Sequence, residues 1–333
     1  MLLFSFVLFG IILVSASMGY VKIGFSDILR IVASEISGNA TLANGISETF
    51  RVIVMEVRLP RILACAAVGG SLAVSGVLFQ GILLNPLADP YTLGVSAGAA
   101  FGACIAILLS LGAAIVSVPL FAFAGACLTL LFVIYLSYTG KNSSASLSSN
   151  TLILSGIIVG AILSAGISFL KYTADEQVAV IIFWLMGSFA SKTWFDVVLT
   201  LLFLGGGFVT AMFFARDLNL VSLGERSATS LGVDTRKVTL ILLVTGSLLA
   251  AISVSVSGII GFVGLLVPHM VRFVTGPDNR KLVPVSMLVG ASLLLCADTI
   301  TRAVLPHEIP IGVLTAIIGG PIFCWIFKKG HTA

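Results

Sequence analysis

The chain has 333 residues, of which 58% are hydrophobic and only 10% are charged, and its formal net charge is +4. Soluble domains carry about 25% charged residues, so this composition excludes a soluble globular fold, and the small positive charge gives no argument for nucleic-acid binding. Apolar stretches of about 20 residues, long enough to cross a bilayer as a helix, recur along the chain. We predict an all-α, polytopic membrane protein that forms one integral permease domain over residues 1–333.

The apolar runs predict about ten transmembrane helices. Their expected bounds are 2–21, 60–83, 92–110, 113–137, 150–171, 192–215, 236–256, 259–275, 282–304 and 310–328. The segment 259–275 is the least regular, because Gly261, Gly264 and Pro268 interrupt it. The first 21 residues have no charged side chain. Since a signal peptide normally starts with basic residues, we expect an uncleaved first helix.

Basic residues beside the predicted spans set the expected orientation. With both termini in the cytoplasm, the inner side has a small excess of Lys and Arg, and the outer side remains unusually basic. Residues 22–57 form the longest outer loop, where Ser26 and Asp27 precede an apolar pattern that predicts a short interfacial helix with a capped start.

The polar segment 216–235 is too hydrophilic to cross the membrane but has a helical pattern. Ser222 and Glu225 have capping-box spacing, and Gly232 stands where a C-terminal cap belongs. The apolar residues that can share one face are Leu220, Leu223, Ala228 and Leu231. The pattern predicts a short amphipathic helix on the cytoplasmic side, which lies either on the membrane surface or in a groove of another protein.

The sequence offers no catalytic site. The segment Gly94-Val95-Ser96-Ala97-Gly98 matches G-x-S-x-G, but it lies in an apolar helical run rather than at a strand-to-helix turn. No P-loop occurs, so we expect any ATP hydrolysis to take place in a separate subunit. The five cysteines stand apart in apolar segments without metal-ligand spacing, and we predict no metal site.

An ion-coupled secondary transporter is the alternative that needs no ATP. Such carriers usually place acidic residues within their membrane spans. Asp298 is the main acidic residue inside a predicted span here, and it stands four residues before Arg302, with which it can pair on one helix face.

Four segments of the chain resemble the FecCD family, the permeases of importers for ferric siderophores, haem and cobalamin. The first contains Arg58-Leu59-Pro60-Arg61, Gly69-Gly70-Ser71-Leu72-Ala73, Gln80, Asn85-Pro86-Leu87-Ala88-Asp89-Pro90 and Leu93-Gly94-Val95-Ser96-Ala97-Gly98. The second is Trp184-Leu185-Met186-Gly187-Ser188, and the third is Leu223-Gly224-Glu225 with Leu231-Gly232-Val233. The fourth contains Gly258, Gly261-Phe262-Val263-Gly264-Leu265, Pro268-His269-Met270-Val271-Arg272, Asp298, Arg302 and Ile309-Pro310-Ile311-Gly312.

The resemblance implies the permease subunit of a binding-protein-dependent ABC importer in the cell inner membrane. It implies ten helices per subunit, a homodimer or close heterodimer around a central pathway, two cytoplasmic ATPase subunits and an extracytoplasmic binding protein. ATP and Mg would bind in the ATPase subunits, and no cofactor is expected in this chain. The implied cargo is an iron chelate, such as a siderophore complex or haem; cobalamin and an oxyanion are the alternatives.

The resemblance also assigns three groups of residues. The family's cytoplasmic gate falls on Asn85, Leu87, Ser148, Ser149 and Asn150. Its ATPase-coupling helix falls on Ser222, Leu223, Gly224, Glu225, Ala228, Leu231 and Gly232, which favours partner binding over a membrane-surface helix. The positions that receive acidic residues of the binding protein fall on Arg58, Arg61 and Arg302. For Arg58 and Arg61 the residues alone leave a second interpretation, in which both side chains reach toward lipid headgroups.

Overall fold

The computed structural model describes residues 1–111, 114–138, 148–303 and 307–330. All the regular elements in these ranges are helical. The α-helices are α1 (Leu2–Ser17), α2 (Phe25–Ser37), α3 (Glu48–Val52), α4 (Leu59–Ile82), α5 (Val95–Leu108), α6 (Ala114–Tyr138), α7 (Ser149–Thr173), α8 (Val178–Leu185), α9 (Trp194–Phe213), α10 (Ala215–Val221), α11 (Glu225–Ser230), α12 (Thr235–Ser257), α13 (Val263–Thr275), α14 (Asn279–Ala303) and α15 (Ile311–Gly330).

Each of the ten predicted spans is occupied by a helix whose bounds agree to within four residues. Six continuous helical segments within the described ranges are long and apolar enough to cross a membrane: Glu48–Ile82, Val116–Tyr138, Ser149–Thr173, Trp194–Phe213, Thr235–Ser257 and Asn279–Ala303. The other four spans, α1, α5, α13 and α15, contain shorter apolar helices. The all-helical fold of a multi-pass membrane protein is therefore confirmed.

Helix α4 lies at the centre of the bundle and packs against α9, α12, α13 and α14. Small residues allow these close approaches. A Cβ atom added at Gly76 would lie 1.8 Å from the carbonyl oxygen of Gly264 on α13, and one added at Gly69 would lie 2.4 Å from that of Gly290 on α14. Any larger residue at Gly76 or Gly69 would force α4 away from its neighbours.

The outer loop contains the predicted interfacial helix as α2, with Ile28 and Ile31 buried on one face. Its start differs from the prediction. Gly24 is the N-cap residue, whereas Ser26 and Asp27 lie within the first turn and provide no side-chain cap. After α3, a single π-helical turn, Ile53–Arg58, leads without interruption into α4.

Candidate functional site

The segment after α4 forms a tight turn that fixes the first part of the predicted gate. The Asn85 side-chain oxygen accepts a hydrogen bond of 2.9 Å from the backbone N–H of Leu87, and the Asn85 carbonyl accepts one from Ala88. This self-bonded turn is a common use of Asn beyond a helix end. It leaves the Leu87 side chain 42% exposed, so an apolar group is presented at the end of the central helix.

The second part of the predicted gate lies at the start of α7, next to this turn. Ser148 is the N-cap residue of α7, and Asn150 is exposed in its first turn. The Ser149 hydroxyl donates to the Ile82 carbonyl over 3.4 Å. Since the last carbonyls of a helix lack partners within the helix, this contact joins the end of α4 to the start of α7 and brings the two predicted parts together.

The coupling helix predicted over 222–231 is present only in part, as α11, and a second short helix, α10, precedes it. At the end of α11, the N–H of Val233 donates to the Ala228 carbonyl over 3.1 Å and the N–H of Gly232 donates to the Thr229 carbonyl over 3.0 Å. Gly232 has a φ of +87°. This is a Schellman motif, in which a left-handed residue closes the helix, and the predicted C-terminal cap is confirmed.

The predicted start of that helix is wrong. Ser222 forms no capping box with Glu225; its hydroxyl donates to the Leu218 carbonyl over 2.8 Å and thereby belongs to the end of α10. Gly224, with a φ of +100°, is the N-cap residue of α11. The break arises from tertiary packing, because the fully buried Leu218 docks α10 onto Gly81 of α4.

The apolar side chains of this segment do not share one face, as the sequence suggested. Ala228, on the inward side of α11, is fully buried, whereas Leu223 and Leu231 are 66% and 62% exposed. Ala228 is therefore part of the protein interior, and the apolar surface available to a partner consists of Leu223 and Leu231.

A cavity of about 260 Å³ joins the predicted gate to the predicted coupling segment. Its wall includes Ile82, Leu84, Ser148, Ser149, Asn150, Val221, Glu225, Thr235, Arg236 and Thr239. The gate residues of α7 and the first residue of α11 thus face one space at the same end of the bundle. We name this space the inner cavity.

Two sets of side-chain contacts near the inner cavity were not predicted from the sequence. The Arg236 guanidinium lies 5.2 Å from the centre of the Tyr138 ring, a cation–π contact between α12 and α6. Asn219 of α10 donates to Asp278 over 2.7 Å and accepts from the Asn279 backbone over 2.9 Å. The hydrogen bonds of Asn219 fix the coupling segment to the start of α14. The only sign of them in the sequence was the presence of polar residues in both segments.

At the opposite end of the bundle, two of the three predicted docking arginines, Arg61 and Arg302, pair with Asp298. Arg61 donates to Asp298 through Nε and Nη2, the latter over 2.8 Å, and also donates to Glu308. Arg302 pairs with Asp298 at 3.6 Å, which confirms the predicted contact between these two residues. We name Arg58, Arg61, Arg302 and Asp298 the outer cluster.

The outer cluster does not form the exposed basic surface that the sequence suggested. Arg58 is only 5% exposed and donates to the carbonyls of Ala16 and Val21, while Arg302 donates to that of Met18 over 2.7 Å. The reason is that the end of α1 and the segment after it cover these guanidinium groups and offer their free carbonyls. Their role in docking a binding protein stays a prediction.

The model of the FecCD transport family matches residues 6–329, and the chain belongs to this family. An uncharacterized ABC transporter permease protein, YvrB of Bacillus subtilis, is 38% identical over 332 residues, covering 98% of this chain and 92% of that protein. The cobalamin import system permease BtuC of Halobacterium salinarum is 43% identical over 296 residues, covering 89% and 79%. A solved structure described as an inward-facing proposed metal-chelate type ABC transporter is similar with a TM-score of 0.85 and 32% identity, covering 98% and 97%.

Further relatives are named for the import of Fe(3+)-citrate, hemin and molybdate. The fold, the family and these relatives define the class of the chain: it is the permease subunit of an ABC importer, a transport component that works with ATPase and substrate-binding partners. No enzymatic family is indicated by these comparisons.

Proposed function

We propose that the chain lines the translocation pathway of an importer that moves an iron chelate, a siderophore complex or haem, into the cytoplasm by ATP-driven alternating access. The observation that supports this most strongly is the inner cavity, because it places Ser149 and Asn150 of the predicted gate against Glu225 of the predicted coupling segment. A displacement of α11 therefore changes the space that the gate residues face.

The contacts of α10 provide a path for that displacement. Leu218 packs on Gly81 of α4, and Asn219 is bonded to Asp278 and Asn279 at the start of α14. In our proposal, closure of the ATP-bound ATPase pair moves α10 and α11 as a unit and shifts α4 and α14 between inward and outward states. The ATPase performs work through its different affinity for those two states.

The proposed assembly contains two copies of this chain, two cytoplasmic ATPase subunits that bind ATP and Mg, and an extracytoplasmic binding protein. Each copy has ten spans and both termini in the cytoplasm. The exposed apolar surface of α7, which includes Leu154, Ile157 and Ile162, supports contact with a second copy or lipid. Asn85 and Leu87 from each copy close the pathway with the α7 residues Ser148, Ser149 and Asn150.

The outer cluster remains our proposed docking point for acidic residues of the binding protein. Arg61 already contacts Glu308, a residue at the rim of a small cavity of about 220 Å³ that also includes Asp298 and Ser188. An incoming carboxylate can therefore replace Glu308 without leaving Arg61 unpaired. Arg58 and Arg302 add positive charge to the electrostatic potential at this docking point.

Cobalamin is the second candidate cargo, favoured by the 43% identity to the halobacterial cobalamin permease, and an oxyanion is the third. An ion-coupled carrier is disfavoured because Asp298, the acid that could accept a coupling proton, is held by two arginines.

Proteoliposomes test this function. The chain is reconstituted with its ATPase subunits and binding protein, and uptake of a ferric siderophore complex, haem, cobalamin and molybdate is measured with and without ATP. We expect ATP-dependent uptake of a ferric complex and no ATPase activity from the chain alone. Uptake driven by a proton or sodium gradient without ATPase subunits would contradict the proposal, and cobalamin uptake alone would select the second cargo.

A further inference from the structure

A larger cavity, of about 520 Å³, lies at the opposite end of the bundle from the inner cavity. Helix α12 connects the two, since its first residues line the inner cavity and Ser255 and Val256 line this one. Helix α5 also ends here, and α6 and α9 begin here. The ends of membrane-crossing helices mark the boundary between hydrocarbon and headgroups, so the cavity lies at headgroup depth. We name it the headgroup cavity.

A cation and an anion face the headgroup cavity without pairing with each other. The Lys192 ammonium donates one hydrogen bond, of 2.6 Å, to the Val256 carbonyl at the end of α12. An ammonium has three donors, and no carboxylate of the described residues lies within salt-bridge distance of this one. Asp196 lines the same cavity, and its Oδ2 accepts from the Thr193 backbone and hydroxyl. Burial lowers the pKa of Lys192, because its charged form loses hydration.

The headgroup cavity also contains an acceptor without a donor. The Gln177 amide nitrogen donates to the Ser110 hydroxyl over 2.9 Å. Its carbonyl oxygen, Oε1, is buried and receives no hydrogen bond from any described residue. A buried acceptor left unsatisfied is costly, so a bound group with N–H or O–H donors would be stabilised at this point.

Nearer the membrane centre, α9 and α12 form an apolar groove. A cavity of about 370 Å³ between α9 and α12 is lined by Phe203 and Leu249, among others. Phe203 follows Asp196 by seven residues, and Leu249 precedes Val256 by seven. Two helical turns separate each pair, so the groove lies on the same faces of α9 and α12, about 10 Å deeper. Gly206 leaves open space there.

The surroundings of α9 favour a lipid in this groove. Of the six segments long enough to cross the membrane in the described ranges, α9 has the smallest buried share, 17%. Its surface is therefore the one most open to acyl chains in a single chain, and the groove offers one of them a path along α9. A polar end with both charges above an apolar channel matches the shape and polarity of a phospholipid.

We propose that the headgroup cavity binds one phosphatidylethanolamine molecule. Its phosphate accepts from Lys192, its primary ammonium donates to Gln177 Oε1 and is balanced by Asp196, and one acyl chain occupies the groove beside Phe203. The matched pair of charges selects a zwitterionic headgroup. Phosphatidylglycerol would place a net anion beside Asp196, and phosphatidylcholine has no N–H to satisfy Gln177.

The test measures lipid retention by native mass spectrometry. The full chain is washed with delipidating detergent and placed in nanodiscs in which phosphatidylcholine is mixed with either phosphatidylethanolamine or phosphatidylglycerol. We expect the unsubstituted protein to retain one phosphatidylethanolamine with a preference of about five-fold or more over either other lipid. Lys192→Met should abolish that retention, and Gln177→Leu should remove the preference over phosphatidylcholine. Lys22→Met, which removes an exposed lysine of the outer loop, is the matched control and should change nothing.

Three outcomes overturn the proposal. Preferential retention of phosphatidylglycerol would identify an anionic-lipid site, and equal retention of all three lipids would identify ordinary annular lipid. Retention by Lys192→Met equal to that of the unsubstituted protein would show that the ammonium does not bind phosphate. If Lys192→Met does not fold because Val256 loses its bond, Gln177→Leu still decides between binding and no binding of the ethanolamine group.

Discussion

The charged side chains at the outer end of this permease and the apolar side chains of the coupling segment at its inner end differ in their exposure. In the outer cluster, the predicted docking residues are largely covered and are bonded within the chain, as the pair of the partly buried Arg61 with the buried Asp298 shows. In the coupling segment at the inner end, the large apolar residues Leu223 and Leu231 are exposed on a polar loop. The outer cluster is therefore paired within one chain, whereas the coupling segment at the inner end has an apolar surface that a partner can cover.

The difference shows that charge and hydrophobicity predict partners in different ways. A guanidinium group has five donors, and free carbonyls at helix ends satisfy it readily, as Ala16 and Met18 do here. Exposed apolar side chains have no such partner in water. For this chain, the exposed leucines therefore support a permanent interface with a partner. The arginines already have partners within the chain, so they support only a contact in which an incoming group replaces one of those partners.

The largest effect is expected from Asp298→Asn. This substitution removes the buried carboxylate shared by Arg61 and Arg302 and leaves two cations without their common partner. Breaking a buried ion pair on one side costs about 3–5 kcal/mol, so thermal unfolding of the purified chain should occur at a markedly lower temperature. Glu308→Gln, which removes the more exposed partner of Arg61, is the control and should change stability by about 1 kcal/mol or less.

Ala228→Asp should be the next most damaging. Because Ala228 is fully buried, a carboxylate there has no water and no designed partner, and we expect a loss of about 3 kcal/mol or more. Limited proteolysis within residues 215–235 measures local unfolding of the segment. Cleavage no faster than in the unsubstituted protein would show that Ala228 faces outward.

Leu223→Asp and Leu231→Asp should weaken attachment of the ATPase without harming the fold. Both positions are exposed, so stability should change by about 0.5 kcal/mol or less, while a carboxylate buried in the partner's cleft should reduce affinity about ten-fold or more. Co-purification of the ATPase subunit and coupled uptake are the measurements. Leu42→Asp, at an exposed position of the outer loop, is the matched control; equal loss in that variant would reject the partner surface.

The smallest effect should come from Glu308→Gln on capture of the binding protein. Removing the carboxylate that competes for Arg61 should accelerate association a few-fold at low salt, and the gain should shrink at physiological salt, because exposed charges act mainly on association rate and are screened. Surface plasmon resonance with the cognate binding protein measures both. An unchanged or slower association would show that Glu308 does not occupy the docking point.

The positions of the membrane helices were predictable because the length of an apolar run is a local property. The missed features depend on contacts distant in the sequence. Arg61 and Asp298 are 237 positions apart, so the i,i+4 spacing revealed only the pair of Asp298 with Arg302. The break between α10 and α11 depends on where Leu218 meets Gly81, and capping-box spacing at Ser222 could not reveal it.

The proximity of the gate and coupling residues also could not be predicted from the sequence. Asn150 and Glu225 were assigned to separate groups, and only the folded structure shows that the start of α7, the end of α10 and the starts of α11 and α12 line one cavity. Gly232, by contrast, was correctly predicted as a cap because a left-handed residue after a helix has a strong local preference for glycine.

The most direct test locks the inner cavity. In a chain with its five cysteines replaced, Asn150→Cys and Glu225→Cys are joined by a short cleavable thiol cross-linker, and ATP-driven uptake is measured in proteoliposomes that contain the ATPase subunits and the binding protein. We expect uptake to fall to background while the ATPase stays attached, and to recover when the cross-link is reduced; in either single-cysteine variant, the same reagent should leave uptake at the rate that this variant shows untreated. Full uptake with the cross-link in place would contradict coupling of α11 to the gate through this cavity.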